Sequence, residues 1–104
     1  MFKIWYINLF VGCEDSDGLT GFHYSHDGYW AVGYMYSGKK TLIECASTCM
    51  QDCFGICAYE PFNYDRVYCY HYSNVVELVS ANVRPNSGYK AYIKCSVPMN
   101  EGKV

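Results

Sequence analysis

Seven cysteines, Cys13, Cys45, Cys49, Cys53, Cys57, Cys69 and Cys95, stand in a chain of 104 residues. No other feature constrains the fold as strongly. A chain of this length makes one domain and buries about 60–70% of its unfolded surface. So much cysteine in so short a chain reads as a disulfide framework. A zinc site is the rival reading. Structural zinc takes close pairs of ligands from separate segments, whereas Cys45, Cys49, Cys53 and Cys57 are spaced by four. That spacing suits successive turns of one helix, and four thiolates along one helix cannot surround a single tetrahedral ion. Disulfides imply an oxidising compartment, so the chain is expected to be secreted and extracellular. Seven is an odd number, and three bridges leave one thiol. Either it links two molecules or it is buried as a small hydrophobe.

Charge and apolar content exclude several classes. Eight Lys and Arg against ten Asp and Glu leave a net charge of -2, which argues against a nucleic-acid partner needing a basic face. No window reaches 18 apolar residues, so no transmembrane segment is expected. An apolar fraction of 51% argues against disorder.

Residues 1–12 begin MFKIWYINLFV. The lysine followed by an apolar run resembles the tail of a signal peptide. The same residues also read as a β-strand rich in Ile, Trp, Tyr, Phe and Val. Without period-two alternation that strand buries both faces, so Ile4, Trp5, Ile7 and Phe10 are candidates for pairing with another subunit. Glu14-Asp15-Ser16-Asp17-Gly18 is an acidic turn that lacks the closing Glu of a calcium loop. His23 and His26 with Asp27 offer metal-ligating groups, but a lone His-x-x-His in a loop reads as solvated histidines. No metal and no cofactor are expected.

Residues 21–38, punctuated by Gly21, Gly28, Gly33 and Gly38, suit short strands and turns. Thr41-Leu42-Ile43-Glu44 is a capping box that opens a helix. Leu42, Cys45 and Cys49 form its apolar face, and it is expected to end near Asp52. Residues 56–62 and 67–72 read as two strands joined into a hairpin by the turn 63–66. Residues 75–80 make a further short strand or helical turn. Pro85-Asn86-Ser87-Gly88 is expected to turn the chain into a closing strand over 89–95.

The order of elements and the cysteine spacing resemble the PAN/apple domain family. Its pattern is a helix bearing C-x3-C, a strand opening on a cysteine, then a cysteine about a dozen residues later. Here those residues are Cys45-Ala46-Ser47-Thr48-Cys49, then Cys57-Ala58-Tyr59, then Cys69. The resemblance spans roughly residues 13–95, leaving 1–12 as the apolar strand and 96–104 as a C-terminal tail. It implies an α+β fold: a small disulfide-rich domain with one helix packed on a curved antiparallel β-sheet. It also implies the bridges Cys13–Cys95, Cys45–Cys69 and Cys49–Cys57. Cys53 has no family counterpart and is left unpaired or intermolecular.

On that pairing Cys53 is the only thiol open to catalysis. No histidine lies near it in sequence to activate it. No serine-centred elbow, phosphate loop or metal-hydrolase motif appears either, so the chain is not expected to be an enzyme. PAN/apple domains bind proteins or carbohydrates outside the cell, and the resemblance implies the same here. Twelve tyrosines support this independently, because Tyr offers a broad apolar face with a polar tip at low entropic cost. The candidate ligand-binding residues are Trp30, Tyr64, Asp65, Arg66, Tyr68 and His71, for a glycan or an extracellular protein. The alternative is a structural subunit of an extracellular assembly, self-associating through the N-terminal strand or Cys53.

Overall fold

The computed structural model describes residues 16–60 and 65–95. The segment 67–72 reads Val-Tyr-Cys-Tyr-His-Tyr. Side chains in a strand alternate between faces, so this short run puts tyrosines on one side of a sheet and Val67, Cys69 and His71 on the other. It forms strand β4, Val67–Tyr72. The others are β1 (Phe22–Trp30), β2 (Tyr34–Lys40), β3 (Gly55–Tyr59) and β5 (Val83–Lys94). All pair antiparallel, in the order β1-β5-β3-β4-β2. The expected hairpin is the β3–β4 pair, in which Tyr59 lies opposite Tyr68 and Cys57 opposite Tyr70.

The one α-helix, α1 (Leu42–Ser47), opens on the capping box expected from the sequence. Glu44 N–H donates to Thr41 Oγ1 at 3.1 Å, and Thr41 N–H donates to Glu44 Oε1 at 3.0 Å. The helix is shorter than expected, ending at Ser47 rather than near Asp52. The Cys45 carbonyl, which the Cys49 amide would need to continue the helix, lies 3.2 Å from Thr48 Oγ1 and 3.0 Å from His71 Nε2. With that acceptor taken by side chains, Cys49 N–H donates to the Ala46 carbonyl at 3.1 Å instead.

Two apolar clusters sit on opposite faces of the sheet. Between helix and sheet lie Leu19, Phe22, Cys45, Ala46, Cys49, Cys53, Ile56, Cys69 and Tyr92. On the other face Trp30, Cys57, Tyr72, Leu78, Ala91 and Ile93 pack together. Short 3-10 turns, Val75–Glu77 and Ser80–Asn82, bring Leu78 into this second cluster, where it is 1% exposed.

The early shortening of the helix changes the disulfides. Cys45, on α1, is bonded to Cys69 on β4, as the resemblance implied. Cys49 falls beyond the helix end and is bonded to Cys53, with Cα atoms 5.0 Å apart. The turn between them is closed by Cys53 N–H donating to the Met50 carbonyl at 3.0 Å. The implied Cys49–Cys57 bridge is therefore corrected. Ile56 and Ala58 occupy the helix-facing side of β3, and the period of two sends Cys57 to the opposite face. Cys57, not Cys53, is the free cysteine among the described residues, and it is fully buried. An intermolecular link through Cys53 is excluded with it. Cys95 is disulfide-bonded. The expected partner Cys13 lies outside the described residues, as do Ile4, Trp5, Ile7, Phe10 and Tyr64.

Residues 85–88 do not turn the chain. They lie within the continuous strand β5, where the register against β1 jumps from Asp27↔Lys90 to Gly28↔Pro85. The extra residues form a local loop, with Gly88 N–H donating to Asn86 Oδ1 at 2.9 Å. Gly28, at φ +136°, is required opposite it, because a side chain there would collide with the Arg84 carbonyl.

A tyrosine face as candidate functional site

The sheet order decides which tyrosines meet. On β4, Tyr68, Tyr70 and Tyr72 share the face turned away from the helix. On β2, Tyr34 stands opposite Tyr72 and Tyr36 opposite Tyr70. On the inner side Tyr59 pairs with Tyr68 and also with Tyr89 of β5. Tyr29, near the end of β1, reaches Tyr89 with ring centroids 4.9 Å apart. Tyr59 and Tyr89 stack at 4.5 Å, Tyr36 and Tyr70 lie tilted at 5.3 Å, and Tyr34 meets Tyr70 edge-on at 5.9 Å. Offset and edge arrangements at these distances are the favoured ones for aromatic pairs.

The face has two concavities. A cavity of about 170 Å³ is lined by Tyr29, Tyr34, Cys57, Tyr70, Tyr72 and Tyr89. Next to it lies a more open trough of about 330 Å³, lined by Tyr36, Tyr59, Tyr68, Tyr70 and Tyr89. Tyr70 and Tyr89 are common to both. Tyr34 and Tyr36 are 55% and 52% exposed, so the outer wall is open to solvent. The floor is fixed: Tyr72 donates its hydroxyl to the Trp30 carbonyl at 2.6 Å and accepts from Trp30 N–H at 3.2 Å.

Burial pushes Tyr70 and Tyr89 above the ordinary phenol range, and the neighbouring tyrosines push in the same direction. Burial likewise raises Tyr72, with the adjacent Cys57 adding to it. The Cys57 thiol is pushed up to about 12 by burial, which leaves it protonated and unreactive. Lys39 lies over the Tyr68 ring, with Nζ 5.7 Å from its centroid, at the open end of the trough.

The other predicted site residues scatter. Tyr68 belongs to the face. Trp30, expected among the ligand-binding residues, is 0% exposed. It is a core side chain, edge-on to Tyr72 at 5.1 Å. His71 points to the helix side, where Nε2 lies 3.0 Å from the Cys45 carbonyl oxygen, and burial lowers its pKa. Asp65 lines a small cleft of about 100 Å³ beside Leu42 and Tyr92. Arg66 is exposed, and its charge acts on Glu44 of the helix. The hairpin residues and the sheet tyrosines therefore do not form one site. Of the tyrosines on this face only Tyr68 was expected from the sequence; the others, Tyr59 and Tyr89 among them, join it through strand pairing.

The metal-ligating candidates do not converge. Asp27 accepts from Tyr24 Oη at 2.7 Å and from Lys90 Nζ at 3.5 Å, while the His26 ring packs edge-on to Trp30 at 4.9 Å. Asp17 of the acidic turn accepts from Tyr92 Oη at 2.6 Å. Among the described residues, the ligand atoms that gather are those of Cys45, Cys69 and His71, and the two sulfurs are joined as a disulfide. No helix of the described residues is long and apolar enough to cross a membrane. A scan against protein-family models, a search of curated proteins and a search of solved structures each return no match.

Proposed function

We propose that this chain is a non-enzymatic, extracellular binding module that receives carbohydrate on its tyrosine face. The observation that carries the proposal is the open trough formed by Tyr36, Tyr59, Tyr68, Tyr70 and Tyr89. Pyranose rings present flat C–H faces that stack on aromatic rings, while phenolic hydroxyls at the rim accept and donate hydrogen bonds to sugar hydroxyls. The rings are held by their neighbours, so little side-chain entropy is lost on binding. The disulfides support an oxidising compartment, and the PAN/apple resemblance supports an extracellular binding role. Its cysteine pattern is kept at Cys45–Cys69 and departed from at Cys49–Cys53.

The test is a screen of the purified chain against immobilised glycans, followed by titration of the best oligosaccharide. Tyr36→Ala and Tyr59→Ala are each expected to weaken binding by about tenfold, as central aromatic anchors do. A glycan whose affinity is indifferent to both substitutions would overturn the assignment of the face. So would a screen that retains no glycan.

A further inference from the structure

We propose that the half-open cavity at the end of the tyrosine face is an aromatic cage for a methylated ammonium group. Five of its six lining residues, Tyr29, Tyr34, Tyr70, Tyr72 and Tyr89, present aromatic rings, and no charged side chain is among them. A quaternary ammonium has no N–H to satisfy. It is held by ring faces and by the negative quadrupole at their centres, and a wall of tyrosines provides both. A primary ammonium or a guanidinium would have to leave its water without hydrogen-bond acceptors beyond the phenol oxygens, so the cage selects for methylation. The size also fits. At about 170 Å³ the cavity slightly exceeds one of about 150 Å³ that accepts benzene, and a trimethylammonium group is of similar bulk. The sixth lining residue, Cys57, is apolar in behaviour because its thiol stays protonated.

A second observation points the same way. The same face already holds a cation, since Lys39 Nζ lies over Tyr68 at 5.7 Å. The inference rests on the reading of the tyrosine face as a binding surface. It assigns the half-open cavity to a cation and leaves the more open trough to sugar.

The experiment is NMR titration of the whole, disulfide-intact chain with tetramethylammonium, choline and 3,3-dimethylbutan-1-ol, the uncharged carbon analogue of choline. The two cations are expected to saturate and to shift the ring resonances of Tyr34, Tyr70 and Tyr89. The neutral analogue is expected to bind at least about fivefold more weakly, the difference owed to the charge. Tyr34→Leu keeps an apolar wall at a half-exposed position where folding is not at risk. It is expected to weaken choline by about three- to tenfold. Equal binding of the neutral analogue would overturn the cage. So would failure of both cations to saturate by about 0.1 M, a limit of about 1–2 kcal/mol of affinity. Either result leaves an oligosaccharide titration of the open trough to stand or fall by itself. Co-sedimentation with phosphatidylcholine vesicles, set against phosphatidylglycerol vesicles, identifies a lipid headgroup as the source of the cation. Choline binding without it identifies a soluble ligand.

Discussion

At the scale of single residues, Cys57 shows how little a residue's identity says without its face. It sits among cysteines spaced for bridging, yet it points away from them, into the apolar side of the sheet beneath the tyrosines. Its thiol carries a pKa of about 12, against 9.0 for the free group. The native state therefore holds a proton that the unfolded chain releases. The stability this contributes is complete below about pH 9 and is lost as pH rises toward 12. Melting temperature measured across pH 8–11 is expected to begin falling near pH 9 in the wild type. In Cys57→Ala the fall is expected to begin about one unit higher, where unfolded tyrosines start to ionise. In the same experiment iodoacetamide is expected to label Cys57 only after denaturation, and labelling of the native protein would contradict its burial.

At the scale of elements, α1 is too short to be stable alone. Isolated helices below about 12 residues are marginal in water, and this one has six. Its cap and its disulfide hold it. Thr41→Ala removes the acceptor for Glu44 N–H and is expected to cost about 1 kcal/mol in denaturant unfolding. The backbone amide of Thr41 holds the Glu44 carboxyl below its usual value. The carboxylate's share is therefore present at neutral pH and is lost as pH falls through its lowered pKa. As pH falls through that lowered pKa the return arm of the box opens, so the stability gap between Thr41→Ala and wild type should narrow from pH 7 toward acid pH. The start of this helix was legible because a capping box is a local pattern. Its end was not, because Cys49 continued the apolar spacing while Thr48 and the distant His71 took the Cys45 carbonyl that its amide needed.

At the scale of the whole molecule, the two disulfides that lie wholly among the described residues constrain chain lengths of different size. Cys45 and Cys69 are 24 residues apart and tie the helix to the centre of the sheet; Cys49 and Cys53 are four apart and fasten a single turn. In the chain-entropy model the first closure is worth about 3.5 kcal/mol and the second about 2 kcal/mol. Paired alanine substitutions are expected to reproduce that order in denaturant melts, with Cys45→Ala/Cys69→Ala the more damaging. A larger loss from the Cys49–Cys53 pair would mean that the turn, rather than the helix anchor, organises the fold.

Sequence by itself determined what is local: a disulfide-rich single domain, a capped helix at Thr41, the β3–β4 hairpin, and strands that put every second side chain on one face. These follow from backbone geometry within a few residues. The tertiary structure alone decided which strands adjoin, and with that which tyrosines share one surface. Only the order β1-β5-β3-β4-β2 brings Tyr29, Tyr34, Tyr70, Tyr72 and Tyr89 around one cavity from four separate strands. It also places Trp30 in the core and His71 on the helix side, away from the open tyrosine trough. Strand pairing over long separations is set by the packing of two apolar faces at once, and no window of the sequence contains that information.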